Sequence, residues 1–308
     1  MRPPSPRVRR GRAALAALAV FVWGFGASGQ PVFRSGVDLT TFAVTITDKK
    51  GNLVTGLTRG DFEVYEDGKK QAIEQFAQGD GDSAPPMHLG LMVDASGSMQ
   101  SDMKLAQGAA IKFLNMLPAA QDITLVDFDT QVRITRYPQR DFARLIERIR
   151  QRKADGWTAL YDALGTYLNG ADSQDGRKVL VMYTDGADSR SSLSWVDTLD
   201  LLKASNVTVY AIGLIENTGS SRPQVQMTLR QIAETTGGQA FFPTAMKEVE
   251  SAYDKVLAEI RGQYHLGYQS TNAARDGGWR KVEIKAKRPD VRIRSRKGYF
   301  GPFKAPSN

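Results

Sequence analysis

A doubly wound α/β domain carrying a small additional β unit is predicted by three observations. Leu89–Val93 and Val179–Tyr183 are continuous apolar runs, which suit strands buried on both faces of a parallel sheet. Strand-like runs then alternate with stretches of helical spacing across residues 87–262, the pattern of a mostly parallel sheet flanked by helices. At both ends of the chain the apolar period falls to two, as in half-buried antiparallel strands.

Residues 34–80 form the first β segment. Phe42, Val44 and Ile46 alternate with Ala43, Thr45 and Thr47, and the chain turns at Asp48-Lys-Lys-Gly-Asn52. Phe62 and Val64 lead into Asp67-Gly68, a strong hairpin signal, with Ile73 and Phe76 expected to continue the far side. Residues 79–86, Gly-Asp-Gly-Asp-Ser-Ala-Pro-Pro, read as a linker because they are polar and rich in breakers. Further α/β strands are expected around 123–126, 132–134, 207–212 and 240–242, with helices around 105–117, 142–149, 160–168, 199–204, 227–234 and 249–260. In residues 263–303 the period of two returns through Tyr264, Leu266 and Tyr268, then Val282, Ile284 and Ala286, with Asp276-Gly-Gly278 as a turn. Val291 and Ile293 then lead to Gly298-Tyr-Phe-Gly301. Each β end is small for a core of its own, so the two are expected to pack together beside the α/β region.

The chain of 308 residues has a formal charge of +8, but five of its basic residues (Arg2, Arg7, Arg9, Arg10 and Arg12) crowd the first twelve positions, well ahead of the first acidic residue, Asp38. Without them 36 basic residues face 33 acidic ones, a net charge of +3, and the case for nucleic-acid binding loses its main support. The basic end is followed by an apolar run over Ala13–Gly24 and the small residues Gly26-Ala-Ser-Gly29. This is the order of a secretory signal peptide over residues 1–29, with cleavage expected before Gln30. The apolar run is shorter than the about 20 residues a membrane anchor needs. The expected location is therefore outside the cytoplasm: periplasmic, cell-surface or secreted. The chain has no cysteine, so an exported form depends on its core alone, a habit of bacterial envelope proteins more than of small disulfide-stapled modules.

The first buried strand runs into Asp94-Ala-Ser96-Gly-Ser98. In open α/β sheets ligands bind at the carboxyl ends of the strands, near the point where strand order reverses, and alternate spacing lets the three oxygen side chains point one way. Two further oxygen-bearing turns follow: Gly156-Trp-Thr158 ahead of a helix, and Tyr183-Thr-Asp185-Gly at the end of a buried strand. Asp-x-Ser-x-Ser alone is a weak signal, because such residues often only cap the next helix; the ordered set is a strong one. It resembles the metal-ion-dependent adhesion site of von Willebrand factor type A domains. Asp94, Ser96 and Ser98 match its Asp-x-Ser-x-Ser loop, Thr158 its threonine and Asp185 its final aspartate. The resemblance spans about residues 87–262, and the flanks Asp61-Phe-Glu-Val-Tyr-Glu-Asp-Gly68, Thr236-Gly-Gly238 and Arg296-Lys-Gly-Tyr299 are similar, less specifically, to those of bacterial proteins built around such a domain. It implies a Rossmann-like fold and a divalent cation, Mg2+ first and Ca2+ or Mn2+ as alternatives. It also implies a protein partner that offers an acidic side chain to that cation. The chemistry agrees: Mg2+ takes about six oxygens and commonly keeps water, and neutral hydroxyls hold it without satisfying its charge.

Other polar residues have blander readings. Asp188 is expected to cap the next helix or face solvent, and Asp172-Ser-Gln-Asp175-Gly to be a solvated turn. Asp127 and Asp129 are expected to be structural or to lie near the metal loops. His88 and His265, the two histidines, are expected at the surface, and the basic run Lys281–Lys297 to be a solvated face. Without a cysteine or a placed histidine the usual nucleophile–base pairs cannot be assembled. The expected function is thus non-catalytic, metal-dependent protein binding. Two other classes stay open: an envelope protein whose metal only stiffens its loops, and a metal-assisted hydrolase, for which no general base stands outside the metal's own carboxylates.

Overall fold

The computed structural model describes residues 39–79, 84–117, 120–215 and 221–303. The expected signal peptide and residues 80–83 of the linker lie outside the described residues. The central sheet is six-stranded: β5 (Met87–Asp94), β6 (Asp122–Phe128), β7 (Val132–Pro138), β8 (Arg177–Thr184), β9 (Val207–Gly213) and β10 (Ala240–Phe241), in the order β10-β9-β8-β5-β6-β7. Every pairing is parallel except that of β6 with β7. All residues of β5 are buried, as are all but the first of β8. That is why both runs are apolar without alternation.

Helices cover both faces. Leu89, Leu91 and Val93 of β5 face a cluster with Phe113 of α1 (Met103–Met116), Ile149 of α2 (Phe142–Gln151) and Val256 of α6 (Met246–Gly262). Met92, on the opposite face, shares a cluster with Leu164 of α3 (Leu160–Asp172), Leu202 of α4 (Trp195–Ala204) and Leu229 of α5 (Arg222–Thr235). Strand order reverses between β5 and β8: β6 lies on one side of β5, and β8, then β9, on the other. The cleft at such a reversal is where a ligand site belongs, and β5 ends there on Asp94, one residue before the end of β8 leads to Asp185.

Strands from the two chain ends pair with one another. β1 (Leu39–Asp48) and β11 (Tyr264–Gln269) run antiparallel with Phe42 opposite Leu266. β2 (Phe62–Glu66) and β12 (Trp279–Ala286) run antiparallel with Val64 opposite Ile284. Together with β3 (Lys69–Gln71), β4 (Gln75–Gln78), β13 (Val291–Arg294) and β14 (Gly298–Phe300) they make two four-stranded sheets, β13-β1-β11-β4 and β14-β12-β2-β3. One apolar cluster joins the two sheets through Phe42, Ile46, Val64, Tyr264, Leu266 and Ile284. Asp67 (φ 48°) and Gly68 (φ 83°) form the β2–β3 turn, with the two positive φ values of a tight hairpin.

The far side of that hairpin differs from the expectation. β3 stops at Gln71, Ile73 belongs to no strand, and Phe76 lies on β4, in the other sheet beside β11. Phe76 gains ring contacts with Phe62 and Tyr264, at 5.8 and 6.1 Å between centroids. The return strand is cut short because its apolar residues complete the core between the sheets.

Candidate metal centre

Asp94 is wholly buried, and its carboxylate accepts the Ser96 backbone N–H at 2.9 Å and the Thr184 hydroxyl at 2.6 Å. The Ser96 and Ser98 hydroxyl oxygens lie 3.0 Å apart, and Ser98 donates to Asp185. The loop after β5 is joined to the loop before α3: the Asp155 N–H donates to Ala95 O at 2.8 Å, and the Gly97 N–H to Gly156 O at 2.9 Å. Gly156 has φ 77° and packs against Thr130, leaving no room for a side chain. Thr158 is buried; its N–H donates to the Ser189 hydroxyl at 3.0 Å, and its carbonyl accepts the Ser189 and Arg190 N–H groups. This ties the second loop to the third, which begins at Asp185-Gly186. All five predicted residues are therefore on three loops hydrogen-bonded to one another at the carboxyl end of the sheet.

The electrostatics leave this cluster short of positive charge. Burial pushes the Asp94 carboxyl up to about 6, and charge on Asp185 adds to the effect against the hydrogen bonds from Thr184 and Ser96. Burial also raises the Asp185 carboxyl, opposed by the Ser98 hydrogen bond and reinforced by Asp102. Two buried carboxylates, with the charge on Asp185 disfavouring ionisation of Asp94, stand beside the Ser96 and Ser98 hydroxyls and form a donor set suited to a hard, oxygen-seeking dication. Among the described residues no group of three or more His, Cys, Asp or Glu is arranged to hold a metal; this set has two carboxylates and draws its remaining donors from hydroxyls.

The neighbouring acids have structural roles. The Asp188 carboxylate accepts the Tyr161 N–H at 3.2 Å and the Ser191 hydroxyl at 2.5 Å, so it caps α3, the preceding helix, and not the following one. Asp162 answers from α3 by accepting the Ser192 and Leu193 N–H groups, both at 2.9 Å. Asp127 and Asp129 are buried and share Arg152 and Arg133. Through Asp129, whose carbonyl accepts the Ala159 N–H at 3.0 Å, this ion cluster braces the loop that carries Thr158.

Two contributors escaped the sequence reading. Thr184 fixes Asp94 and also accepts the Gly186 N–H at 2.8 Å; its signal was a polar residue closing an otherwise apolar strand. Trp157, next to Thr158, is 65% exposed, which only the structure reveals.

The expected surface histidines are buried instead. His88 faces the Asp122 carboxylate at 3.0 Å and the Asp175 carbonyl at 2.9 Å. Burial, and then Arg177, push His265 down to about 3, so its ring is neutral. The partners that admit them to the interior are distant in sequence. The basic run also divides: Lys281 and Lys285 on β12 face solvent, whereas Arg280 is buried and Arg294 turns inward to Glu259, Gln239 and the Gly237 carbonyl.

Residues 88–255 match the von Willebrand factor type A domain family, and the chain belongs to that family. The von Willebrand factor type A structure from Catenulispora acidiphila is 14% identical, over 85% of this chain and 73% of that one, with a TM-score of 0.48. The vWF domain of the type V pili tip protein Mfa5 from Porphyromonas gingivalis is 14% identical, over 57% of this chain and 95% of that one, with a TM-score of 0.49. An aerotolerance-related membrane protein from Bacteroides fragilis, in a form with multiple mutations to serines, is 14% identical over 56% of this chain and 98% of that one, with a TM-score of 0.45. No curated protein matches the chain.

Proposed function

We propose that this protein is exported and binds a protein partner through a divalent cation held by Asp94, Ser96, Ser98, Thr158 and Asp185. The observation that carries this reading is the pair of carboxylates, Asp94 and Asp185, with the Ser96 and Ser98 hydroxyls at the strand-order reversal. A dication there, Mg2+ in the first instance, supplies a coordination position for an acidic side chain of the partner. The chain's own residues do the rest. Thr184 and the Ser96 N–H fix the Asp94 carboxylate, and the backbone bonds of Thr158 hold its loop against the one after Asp185. The exposed Trp157 ring beside Thr158 offers the aromatic anchor that protein interfaces favour. Residues 87–262 are the binding domain in this reading, and 34–80 with 263–303 the β unit that carries it. Export rests on the basic and apolar order of residues 1–29.

The test is capture of a partner from envelope or secreted extract with Mg2+ and with chelator, using the parent and Ser96→Ala. Capture that needs Mg2+ and is lost in Ser96→Ala is expected. Capture indifferent to both refutes the reading and leaves a metal that only stiffens the loops.

A further inference from the structure

Thr158 stands on a segment whose backbone is pinned residue by residue. From Asp155 to Ala159 every N–H group has an acceptor. Asp155 donates to the Ala95 carbonyl and Gly156 to the Asp155 carboxylate, both at 2.8 Å. Trp157 donates to Thr130 Oγ1 at 2.9 Å, Thr158 to Ser189 Oγ at 3.0 Å and Ala159 to the Asp129 carbonyl at 3.0 Å. Gly156 and Trp157 are exposed, so water could serve their N–H groups. Protein acceptors there fix the path of the chain and do not merely satisfy buried donors.

Two of these acceptors are side-chain hydroxyls brought from other loops. Thr130 lies between β6 and β7, and Ser189 lies four residues after Asp185. Both residues are exposed, and neither belongs to the five-residue donor set. Thr130 is carried by Asp129, whose buried carboxylate accepts the Gln131 N–H at 2.8 Å and Arg133 at 3.1 Å and also pairs with Arg152. Arg152 is held in turn from α1, where Gln107 donates to its carbonyl at 2.6 Å. Ser189 and Thr158 exchange two bonds, since the Ser189 N–H also donates to the Thr158 carbonyl at 2.9 Å. Thr158 is thus gripped from both sides by hydroxyls that are themselves mounted on braced loops.

We propose that Thr130 and Ser189 are positioning residues for the cation, their hydroxyls holding the backbone of residues 157–158 so that the Thr158 hydroxyl stands ready beside Asp94, Ser96, Ser98 and Asp185. This rests on the reading of those five residues as one cation site. A ligand loop fixed in advance spends no binding energy on ordering itself, and groups that orient metal ligands are commonly worth about 10–100-fold in affinity.

The test is calorimetric Mg2+ titration of the full chain, with thermal unfolding of each variant to establish that it is folded. The variant with both Thr130→Ala and Ser189→Ala should fold, because exposed loop hydroxyls carry little packing, and should bind Mg2+ at least about tenfold more weakly than the parent. Thr130→Ser and Ser189→Thr keep the hydroxyls and should bind like the parent. In a Thr158→Ala chain, itself weakened, the same two alanines should cost less than about twofold, because their effect runs through Thr158. A parent that binds no Mg2+ contradicts the cation site itself. A parent that binds Mg2+ beside a folded double-alanine variant that binds it equally well overturns the positioning role alone. Losses that add in full to that of Thr158→Ala overturn it too, since the hydroxyls would then act elsewhere. Should the double variant not fold, Thr130→Ala alone is judged by whether it binds Mg2+ like the parent.

Discussion

Replacing Asp94 by asparagine in metal-free protein is expected to raise stability at neutral pH, although it alters a wholly buried residue. The folded-state pKa of Asp94 is about 6 against 3.8 for the ordinary group, so the native state binds its proton more tightly than the unfolded chain does. The stability of the metal-free parent therefore falls as pH rises from about 3.8 through about 6 and stays low above that. The difference of about 2 pKa units corresponds to about 3 kcal/mol. Asparagine removes the buried charge while its carbonyl still accepts from Thr184; a poorer fit of its amide returns about 1 kcal/mol. The net gain of about 2 kcal/mol raises Tm by about 4–8 °C for a domain of this size. The assay is thermal unfolding of parent and Asp94→Asn in chelator from pH 4 to 8, repeated with excess Mg2+. In chelator the variant should lack the parent's loss of stability between pH 4 and 6; with Mg2+ the parent should gain and the variant should not. A metal-free Asp94→Asn less stable than the parent at pH 7.5 would refute the reasoning.

Trp157→Ala should leave Mg2+ affinity unchanged and weaken partner capture by about tenfold or more, as loss of an exposed aromatic anchor does; equal capture in a binding titration would show that Trp157 lies outside the interface. His265 is neutral when folded, with a pKa of about 3 against 6.5, so the native state holds fewer protons and stability falls as pH drops below about 6.5. His265→Gln should flatten that acid limb in denaturant titrations, where the full effect of up to about 5 kcal/mol is reached only near pH 3. A fragment of residues 87–262 should keep Mg2+ binding in calorimetry, and failure of the folded fragment to bind would show that the β unit contributes to the site. Arg144→Ala, at an exposed position on α2, should leave Mg2+ binding unchanged in the same titrations and serves as their control.

What was legible in the sequence was what local pattern determines. β5 and β8 announced themselves because both faces are covered, and α6 because one face is. The loop residues of the candidate centre were legible because strand ends at a reversal of strand order are where side chains converge, and each of the three loops carries its own short signature. What was not legible depends on partners far along the chain. His88 enters the interior beside Asp122 and Arg136 from other strands. Arg294 and Arg296 break the alternation of a basic run because Glu259 and the Thr41 and Ser205 carbonyls receive them. Phe76 left the hairpin for the other sheet because an aromatic cluster there needed it. Nothing near these residues in sequence marks those destinations.

The central claim is that Asp94, Ser96, Ser98, Thr158 and Asp185 hold one divalent cation. Calorimetric Mg2+ titration of the parent beside Ser96→Ala and Asp185→Asn tests it most directly. The account expects one Mg2+ per parent chain, and affinity reduced at least about tenfold in each folded variant, since each removes an oxygen donor or a charge without opening the core. Parent and variants binding Mg2+ alike, or a folded parent binding none, would contradict it.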